Sequence, residues 1–461
     1  MTATTTAGRG TRADWCQRPI HRLGSAIESG EITVTALVDA TLDRIAELEP
    51  SLNAFTTVLA DRARRDAEQA DLDIAAGRYR GPLHGVPVSI KDLIDVAGAA
   101  TTAASRVTGR APAGADAPVV ARLRAAGAIL IGKCNLHEFA FGTTGEDSAF
   151  GPTRHPLDRD RSPGGSSSGS AVSVASGMAF ATVGTDTGGS IRIPAAACGL
   201  VGLKPTFGEL SCEGTLPLAP SLDHVGPLAR CVRDTRLVYH AMRDGATAPL
   251  SDTPSRRRLG CPRPYFFEQL DDEVRTVCER ALTRLQDAAW TVDDTPLQHA
   301  GDTAAICLHL ILSEAAAVHA RGLERCAETY TRSVRLRLEL GRYVLAEDYA
   351  RAQHGRDVLR DAVDAALEGR DALVLPTLAI PAPPLGASTV AVDGTTEPVR
   401  GIMLRLTQLF NATGHPAVSI PCGHTAAGLP CGLQLVGRRH QTDQLLDVAE
   451  ACEAVLADLL A

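Results

Sequence analysis

The chain has 461 residues, of which 44% are hydrophobic and 22% are charged. These proportions are typical of a folded globular protein and exclude the disordered and fibrous classes. The formal net charge of −8, with a pI near 5.9, disfavours direct binding of nucleic acid. No stretch approaches the roughly 18 apolar residues that cross a bilayer, so we expect no membrane partner.

Twelve cysteines are scattered along the chain, and several stand in apolar runs, as Cys198 and Cys307 do. This usage predicts reduced, buried thiols and a cytoplasmic protein. Cys134 and His137 lie close together in KCNLH, but no second ligand pair at zinc spacing accompanies them. We therefore predict no metal site.

The N-terminal part of the chain divides into a tail and a helical arm. Residues 1–19 carry no apolar pattern and predict a disordered tail. Between residues 20 and 73, apolar residues recur at helical spacing and Pro50 precedes a break. The recurring positions are Val34, Val38, Leu42 and Ile45.

Short apolar strands then alternate with helices. Residues 86–90 predict a buried strand, and a helix over 119–127 leads into another strand at 128–131. Residues 371–381, 415–423 and 428–437 predict three more strands, beyond a charged helical block at about 240–370. This alternation favours one α/β sheet covered by helices on both faces, although length alone would suggest about three domains.

Residues 152–170 are rich in serine, glycine and proline, and a flexible linker is one interpretation of them. A helix of small residues and the strand sequence AFATVGTD follow directly. The alternative is therefore that the serines stand at a helix N-terminus, where free N–H groups are available.

Two stretches could supply a nucleophilic serine. Residues 165–169 match the hydrolase pattern G-x-S-x-G, but the residues before them cannot form the buried strand that this pattern requires. A histidine base would also be needed, and the best candidate, His224, is better explained as structural. Ser190, between Gly189 and Ile191, marks either a tight buried turn or a nucleophile surrounded by close backbone N–H groups.

A serine nucleophile needs a base, and a lysine serves if burial lowers its pKa. Lys91 ends the apolar run VPVSI. It is either such a base or a strand-end lysine that reaches water.

Residues 164–208, which run from GGSSSGS through DTGGSIR to GLKPT, resemble the amidase signature family. GPLHGVPVSIKD, the segment at 116–142 and SLDHVGP extend the resemblance, which covers nearly all of the chain from residue 20. It implies the amidase signature fold, a large mixed and mostly parallel β-sheet in an α/β/α arrangement. It also implies one domain over 20–461, with a core at about 81–230 and a helical elaboration at about 240–370.

The resemblance further implies a Ser–cisSer–Lys triad without cofactor or metal. Ser190 is then the nucleophile, Ser166 the bridging serine after an unusual Gly165–Ser166 peptide bond, and Lys91 the base. Backbone N–H groups around the nucleophile would form the oxyanion hole, and a second group of residues would support the loop. The oxyanion-hole residues are Thr187, Gly188, Gly189 and Ser190, and the supporting residues are Gly165, Ser167, Asp186 and Arg192.

We therefore expect an amidohydrolase that cleaves a small-molecule amide through an acyl-enzyme. The alternatives are a subunit of an amidotransferase or carboxybiuret-type complex with a small partner, an acyl transferase, and a non-catalytic use of the fold. A homodimer is compatible with each of them. Two positions depart from the family pattern: Ser168 replaces a glycine, and Glu209 stands where many members carry arginine.

The substrate pocket is expected in variable segments around 137–150, 209–220 and 305–345. Four polar side chains could reach the cleft, or serve the fold instead: Tyr330, Arg342, Gln408 and Asn411.

Overall fold

The fold was obtained as a computed structural model, which describes residues 15–244 and 257–460. The predicted tail therefore lies outside the described residues up to position 14. Beyond it, Cys16 is buried and Trp15 packs against the hydrophobic core, so the ordered chain begins before residue 20.

An eleven-stranded sheet forms the centre of the molecule, and a separate two-stranded ribbon pairs β10 with β11. In chain order the strands are β1 (Phe55–Val58), β2 (Pro87–Lys91), β3 (Ile129–Cys134), β4 (Ala181–Asp186), β5 (Val201–Lys204), β6 (His224–Ala229), β7 (Arg258–Cys261), β8 (Thr291–Asp294), β9 (Ala372–Pro376), β10 (Thr389–Val392), β11 (Thr395–Pro398), β12 (Ala417–His424) and β13 (Pro430–Val436). The order across the large sheet is β1-β3-β2-β4-β6-β5-β12-β13-β9-β7-β8.

The sheet is mixed, as predicted, but parallel pairs are not in the majority. Four of its pairings are parallel, namely β2 with β3 and β4, and β7 with β8 and β9. The other six are antiparallel. The expectation of a mostly parallel sheet is therefore corrected. A short connection, such as the one from β12 to β13, can join only antiparallel neighbours.

Both faces of the central sheet are covered. Every residue of β2, β3, β4, β5 and β6 is buried, as is every residue of β9 and β13. Since successive side chains of a strand point to opposite faces, complete burial requires a layer on each side. The predicted α/β architecture is confirmed.

Sixteen α-helices surround the sheet in the described residues. They are α1 (Ile20–Glu28), α2 (Val34–Leu52), α3 (Ala60–Ala75), α4 (Pro118–Ala125), α5 (Ser168–Ala175), α6 (Arg192–Ala197), α7 (Val232–Met242), α8 (Arg263–Phe266), α9 (Asp272–Asp287), α10 (Thr303–Val318), α11 (Ala320–Cys326), α12 (Arg332–Gly341), α13 (Ala346–Leu367), α14 (Val399–Leu404), α15 (Leu409–Ala412) and α16 (Thr442–Leu456). One cluster of buried hydrophobic residues extends from Ile20 to Leu456. It supports the prediction of a single domain, which stays a prediction.

One helical segment is long and apolar enough to cross a membrane, although the sequence was expected to contain none. Ala300–Val318 is 19 residues long with a mean hydropathy of 1.3, enough in length and composition to cross a membrane. Its helix α10 packs against α12 and α13, and a third of the segment is buried. A core helix of a globular protein meets the same criteria, so the segment is weak support for a membrane span.

Candidate active site

Lys91 is the last residue of β2, and its side chain is completely buried. Its Nζ donates hydrogen bonds to Ser166 Oγ at 2.8 Å and to Thr185 Oγ1 at 2.7 Å. Burial lowers the pKa of Lys91 to about 7, against the opposing charges of Asp186 and Asp223. A neutral amine is therefore accessible near neutral pH, and the lysine does not reach water.

Ser166 follows a cis peptide bond from Gly165, the one cis bond among the described residues. Gly165 has no space for a side chain, because an added Cβ would lie 2.9 Å from the backbone N of Gly145. The next serine, Ser167, donates through its hydroxyl to the carbonyl of Thr185, and its N–H donates to the carbonyl of Ser190. The serine-rich stretch is thus a buried loop that leads into α5, and the linker interpretation is wrong.

The loop that carries Ser190 connects β4 to α6. Gly189 has a φ of +139°, which an L side chain rarely adopts, and an added Cβ would lie 2.2 Å from Thr407 Oγ1. Thr407 donates its hydroxyl to the Gly188 carbonyl at 2.6 Å and so fixes the loop from the other side. The concentration of glycine around Ser190 therefore follows from close contact with a neighbouring segment.

The N–H groups of this loop are free to bind a ligand. Between the residues that the structure describes, no hydrogen bond uses the backbone N–H of Gly188, Gly189 or Ser190. Ser190 is buried but not completely, with 5% of its surface exposed. Unpaired N–H groups beside a nucleophile are the arrangement that stabilises an oxyanion.

Asp186 and Arg192 form a buried ion pair that stabilises the loop. Arg192 is completely buried and contacts both carboxylate oxygens of Asp186, at 2.9 and 3.1 Å. Burial alone would raise the pKa of Asp186, but Arg192 and the amide of Asn411 hold it well below its usual value. Asp186 also accepts from the backbone N–H of Ile191, the residue after Ser190. The supporting role predicted for both residues in catalysis stays a prediction, and these contacts give it a structural basis.

The sequence analysis missed three side chains that contact this centre: Thr185, Thr407 and Asp223. Asp223 accepts from the Thr187 hydroxyl at 2.5 Å and from the backbone N–H groups of Leu218 and Ala219. Burial raises the pKa of Asp223 to about 6, despite those hydrogen bonds. The signal for Asp223 is the motif SLDHVGP, in which it directly precedes His224.

His224 serves the fold, as the structural interpretation stated. Its Nε2 lies 3.2 Å from Lys204 Nζ, and its Nδ1 lies 2.7 Å from the Leu222 carbonyl. Cys134 and His137 likewise have separate neighbours, since the thiol donates to Ser173 Oγ while the imidazole lies 3.3 Å from an Asp147 oxygen.

The residues expected near the cleft have different positions. Gln408 faces Gly188, and Asn411 donates to the Asp186 carbonyl and carboxylate. Tyr330 is buried with its hydroxyl 3.2 Å from His319 Nδ1, whereas Arg342 is exposed. Glu209, the unusual acid, accepts hydrogen bonds from the hydroxyls of Tyr239 and Thr442.

A cavity of about 290 Å³ is lined by Thr185, the residue that accepts a hydrogen bond from Lys91. Thr185 and Thr187 form one wall, and the remaining wall is mostly apolar, with Leu93, Leu216 and Leu218. Such a cavity suits a compact apolar group.

Comparison with known proteins gives one consistent result. The family model described as Amidase matches residues 36–446. Among curated relatives, the A subunit of glutamyl-tRNA(Gln) amidotransferase from Roseiflexus sp. (strain RS-1) is 40% identical over 93% of this chain and 94% of its own. An amidase from Pseudomonas putida is 38% identical over 87% of this chain and 88% of its own. A solved amidase crystal structure has a TM-score of 0.91 and 36% identity, covering 95% of this chain and all of its own.

Proposed function

Because this chain belongs to the amidase signature family, we propose that it is a stand-alone amidohydrolase with Ser190 as nucleophile, Ser166 as proton relay and Lys91 as base. As a member of this family, the chain is an enzyme that hydrolyses amide C–N bonds. The roles of the three residues and independence from a partner are the parts proposed.

The reaction proceeds in two halves. Neutral Lys91 accepts a proton through Ser166 while Ser190 Oγ attacks the amide carbonyl, and the loop N–H groups bind the oxyanion. Ser166 then returns a proton to the departing ammonia or amine, which leaves an ester on Ser190. Water, deprotonated through the same relay, attacks this ester and releases the carboxylic acid.

The observation that carries the proposal is the 2.8 Å contact between Lys91 Nζ and Ser166 Oγ, two side chains that are both completely buried. The burial that lowers the pKa of Lys91 is the condition that a lysine base needs at neutral pH. The unpaired N–H groups of Gly188, Gly189 and Ser190 add the second requirement of acyl transfer.

The test is a mass-spectrometric screen of small primary amides, anilides, ureido-acids, glutamine and fatty amides. The Ser190→Ala protein is the blank, and Ser29→Ala, at an exposed serine, is the matched control. Turnover by the native and Ser29→Ala proteins that is lost in Ser190→Ala is the expected result. Retained turnover in Ser190→Ala would contradict the assignment of the nucleophile.

A second candidate function is that of a subunit in an amidotransferase complex, which the 40% identical relative favours. We rank it below the stand-alone enzyme because an amidase relative matches at similar identity. Hydrolysis by the purified chain alone supports the first function. Turnover that requires a co-purified partner would support the second.

We also propose a cytoplasmic location, a small-molecule substrate and self-association into a homodimer. All twelve cysteines are free, and nine of them are buried, as expected in a reducing compartment.

A further inference from the structure

The cavity of about 290 Å³ borders the proposed triad through three of its lining residues. Leu93 lies two positions after Lys91 and donates its backbone N–H to the Lys91 carbonyl. Thr185 accepts a hydrogen bond from Lys91 Nζ. Thr187 stands at the start of the loop that carries Ser190. The cavity is therefore next to both the proposed base and the loop of the proposed nucleophile.

Leu216 lies where this cavity reaches the surface. It lines the cavity, yet 37% of its surface is exposed. Its backbone N–H donates to the Leu93 carbonyl at 2.9 Å, which fixes this part of the wall to the segment that follows Lys91. The Leu216 side chain therefore stands between the interior of the cavity and water.

The volume of the cavity limits the group that it can hold. An apolar cavity of about 150 Å³ binds benzene, and this cavity is about twice as large. Its wall is mostly apolar, with Leu93, Leu216, Leu218 and Val225 among the lining residues. Such a space accommodates a phenyl ring on a short linker or an unbranched chain of about six carbons. A longer chain would extend past Leu216 into water.

The wall carries one carboxylate, and no lysine or arginine is among its lining residues. That carboxylate, Asp223, accepts hydrogen bonds from the Thr187 hydroxyl and from two backbone N–H groups, and it forms no ion pair with any residue that the structure describes. Glu314 adds a second negative charge nearby. His224 also lines the cavity, but burial and Lys204 hold its pKa well below the usual value. A substrate carboxylate would thus be repelled without finding a cation to pair with.

We infer that this cavity binds the acyl group of the substrate and that Asp223 repels acids from it, so that the preferred substrates are amides of compact, uncharged carboxylic acids. The inference rests on the proposed amidohydrolase function. The acyl group is assigned to the cavity because it stays bonded to Ser190 through both halves of the reaction, whereas the amine leaves between them. Glutamine, which carries a carboxylate, is then a poor substrate.

The test of charge compares three primary amides of equal chain length: neutral valeramide, anionic glutaramate and zwitterionic glutamine. For the native protein we expect kcat/KM for valeramide to exceed each of the other two by about tenfold or more. Asp223→Asn should raise the ratio of glutaramate to valeramide turnover by about tenfold, because it removes the repelling charge. Thr187→Val is the matched control, since it removes the same hydrogen bond but keeps the charge of Asp223. Its ratio should stay at the native value.

The test of size compares acetamide with hexanamide, which is four methylenes longer. Each buried methylene should raise kcat/KM about fourfold, so hexanamide should exceed acetamide by about 100-fold. Leu216→Ala should lower kcat/KM for hexanamide about tenfold and for acetamide less than about twofold, because only the longer acyl group reaches Leu216. Leu157→Ala, at a leucine that is 65% exposed and outside this cavity, should change neither value.

Equal kcat/KM for valeramide and glutaramate in the native protein, or an equal rise of their ratio in Asp223→Asn and Thr187→Val, would overturn the role of Asp223. Equal kcat/KM for acetamide and hexanamide would overturn the assignment of the cavity. In each of these cases amides are still hydrolysed, so the amidase function stands. Hydrolysis of none of the amides would contradict the proposed function instead. Calorimetry with Ser190→Ala then decides on the cavity, because hexanamide should bind and glutaramate should not.

Discussion

At the scale of single residues, the proposed role of Lys91 sets the pH range in which we expect the enzyme to act. Its amine contacts two hydroxyls and no carboxylate, so burial is opposed only by the more distant charges of Asp186 and Asp223. A lysine with a carboxylate at contact distance would stay protonated near neutral pH. The absence of a carboxylate at contact distance among the described residues thus suits Lys91 to the proposed role of base.

The first prediction concerns pH. Only the neutral amine accepts a proton, so kcat/KM should rise with pH to a plateau, with an apparent pKa of about 7. Below that pKa the rate should fall about tenfold per pH unit, since the neutral fraction of Lys91 shrinks by that factor. Lys91→Met should abolish turnover without unfolding the protein. A rate that does not change between pH 5 and 9 would contradict the role of Lys91.

The second prediction concerns Asp223 and Thr187. Thr187→Val and Asp223→Asn should each lower kcat, by about tenfold, because each loosens the loop that we propose as the oxyanion hole. KM should change less. Because the two side chains act through one hydrogen bond, the double variant should have a kcat no lower than that of the less active single variant. Additive losses would show that they act separately.

The loop from Thr187 to Ser190 is an element whose shape depends on one glycine. Gly189→Ala would introduce a Cβ where Thr407 Oγ1 lies 2.2 Å away, at a φ that disfavours alanine. The third prediction is that Gly189→Ala lowers the activity at least 100-fold and lowers the melting temperature by a few degrees. Gly301→Ala, at a glycine with no neighbour within 4 Å, is the matched control. Normal activity in Gly189→Ala would mean that the loop does not need this shape.

Motifs made some elements predictable from sequence. β2, β4 and α5 were expected because apolar runs and small residues mark them directly. The grouping of Lys91, Ser166 and Ser190 as a triad was implied by the resemblance to the amidase signature family. β1 was missed, because Phe55–Val58 is four residues long and half exposed between two helices. Its register comes from pairing with β3, which no local pattern encodes.

Arg192 connects distant parts of the whole molecule. Its guanidinium bonds Asp186 of β4, the Thr407 carbonyl, Asn411 of α15 and Gln434 of β13. The fourth prediction is that Arg192→Met lowers the free energy of unfolding by about 3–5 kcal/mol, because it leaves Asp186 buried without its partner. Urea unfolding measures this change. A shift as small as that of the exposed Arg351→Gln would show that Arg192 does not hold the fold together.

A cavity of about 310 Å³ that is lined by three arginines, Arg356, Arg360 and Arg439, could not be predicted from the sequence. Its wall combines positions near 206, 356, 411 and 439, which only the finished sheet and the docked α13 bring together. A single sequence shows which residues form a motif, whereas spatial neighbours from separate segments leave no local pattern. The predicted pocket segments around 137–150 and 209–220 contribute to the apolar cavity through Ala140 and Cys212.

The two borders of the large sheet restrict how copies of the enzyme can associate. β1 and β8 are only four residues long, and β8 ends in Asp293 and Asp294, whose charges oppose the addition of a further strand. The open backbone groups of these borders are therefore poor templates for edge-to-edge pairing and for fibril growth. Self-association would therefore use surfaces other than the sheet borders, where single substitutions can tune assembly without disturbing the hydrogen-bonded core.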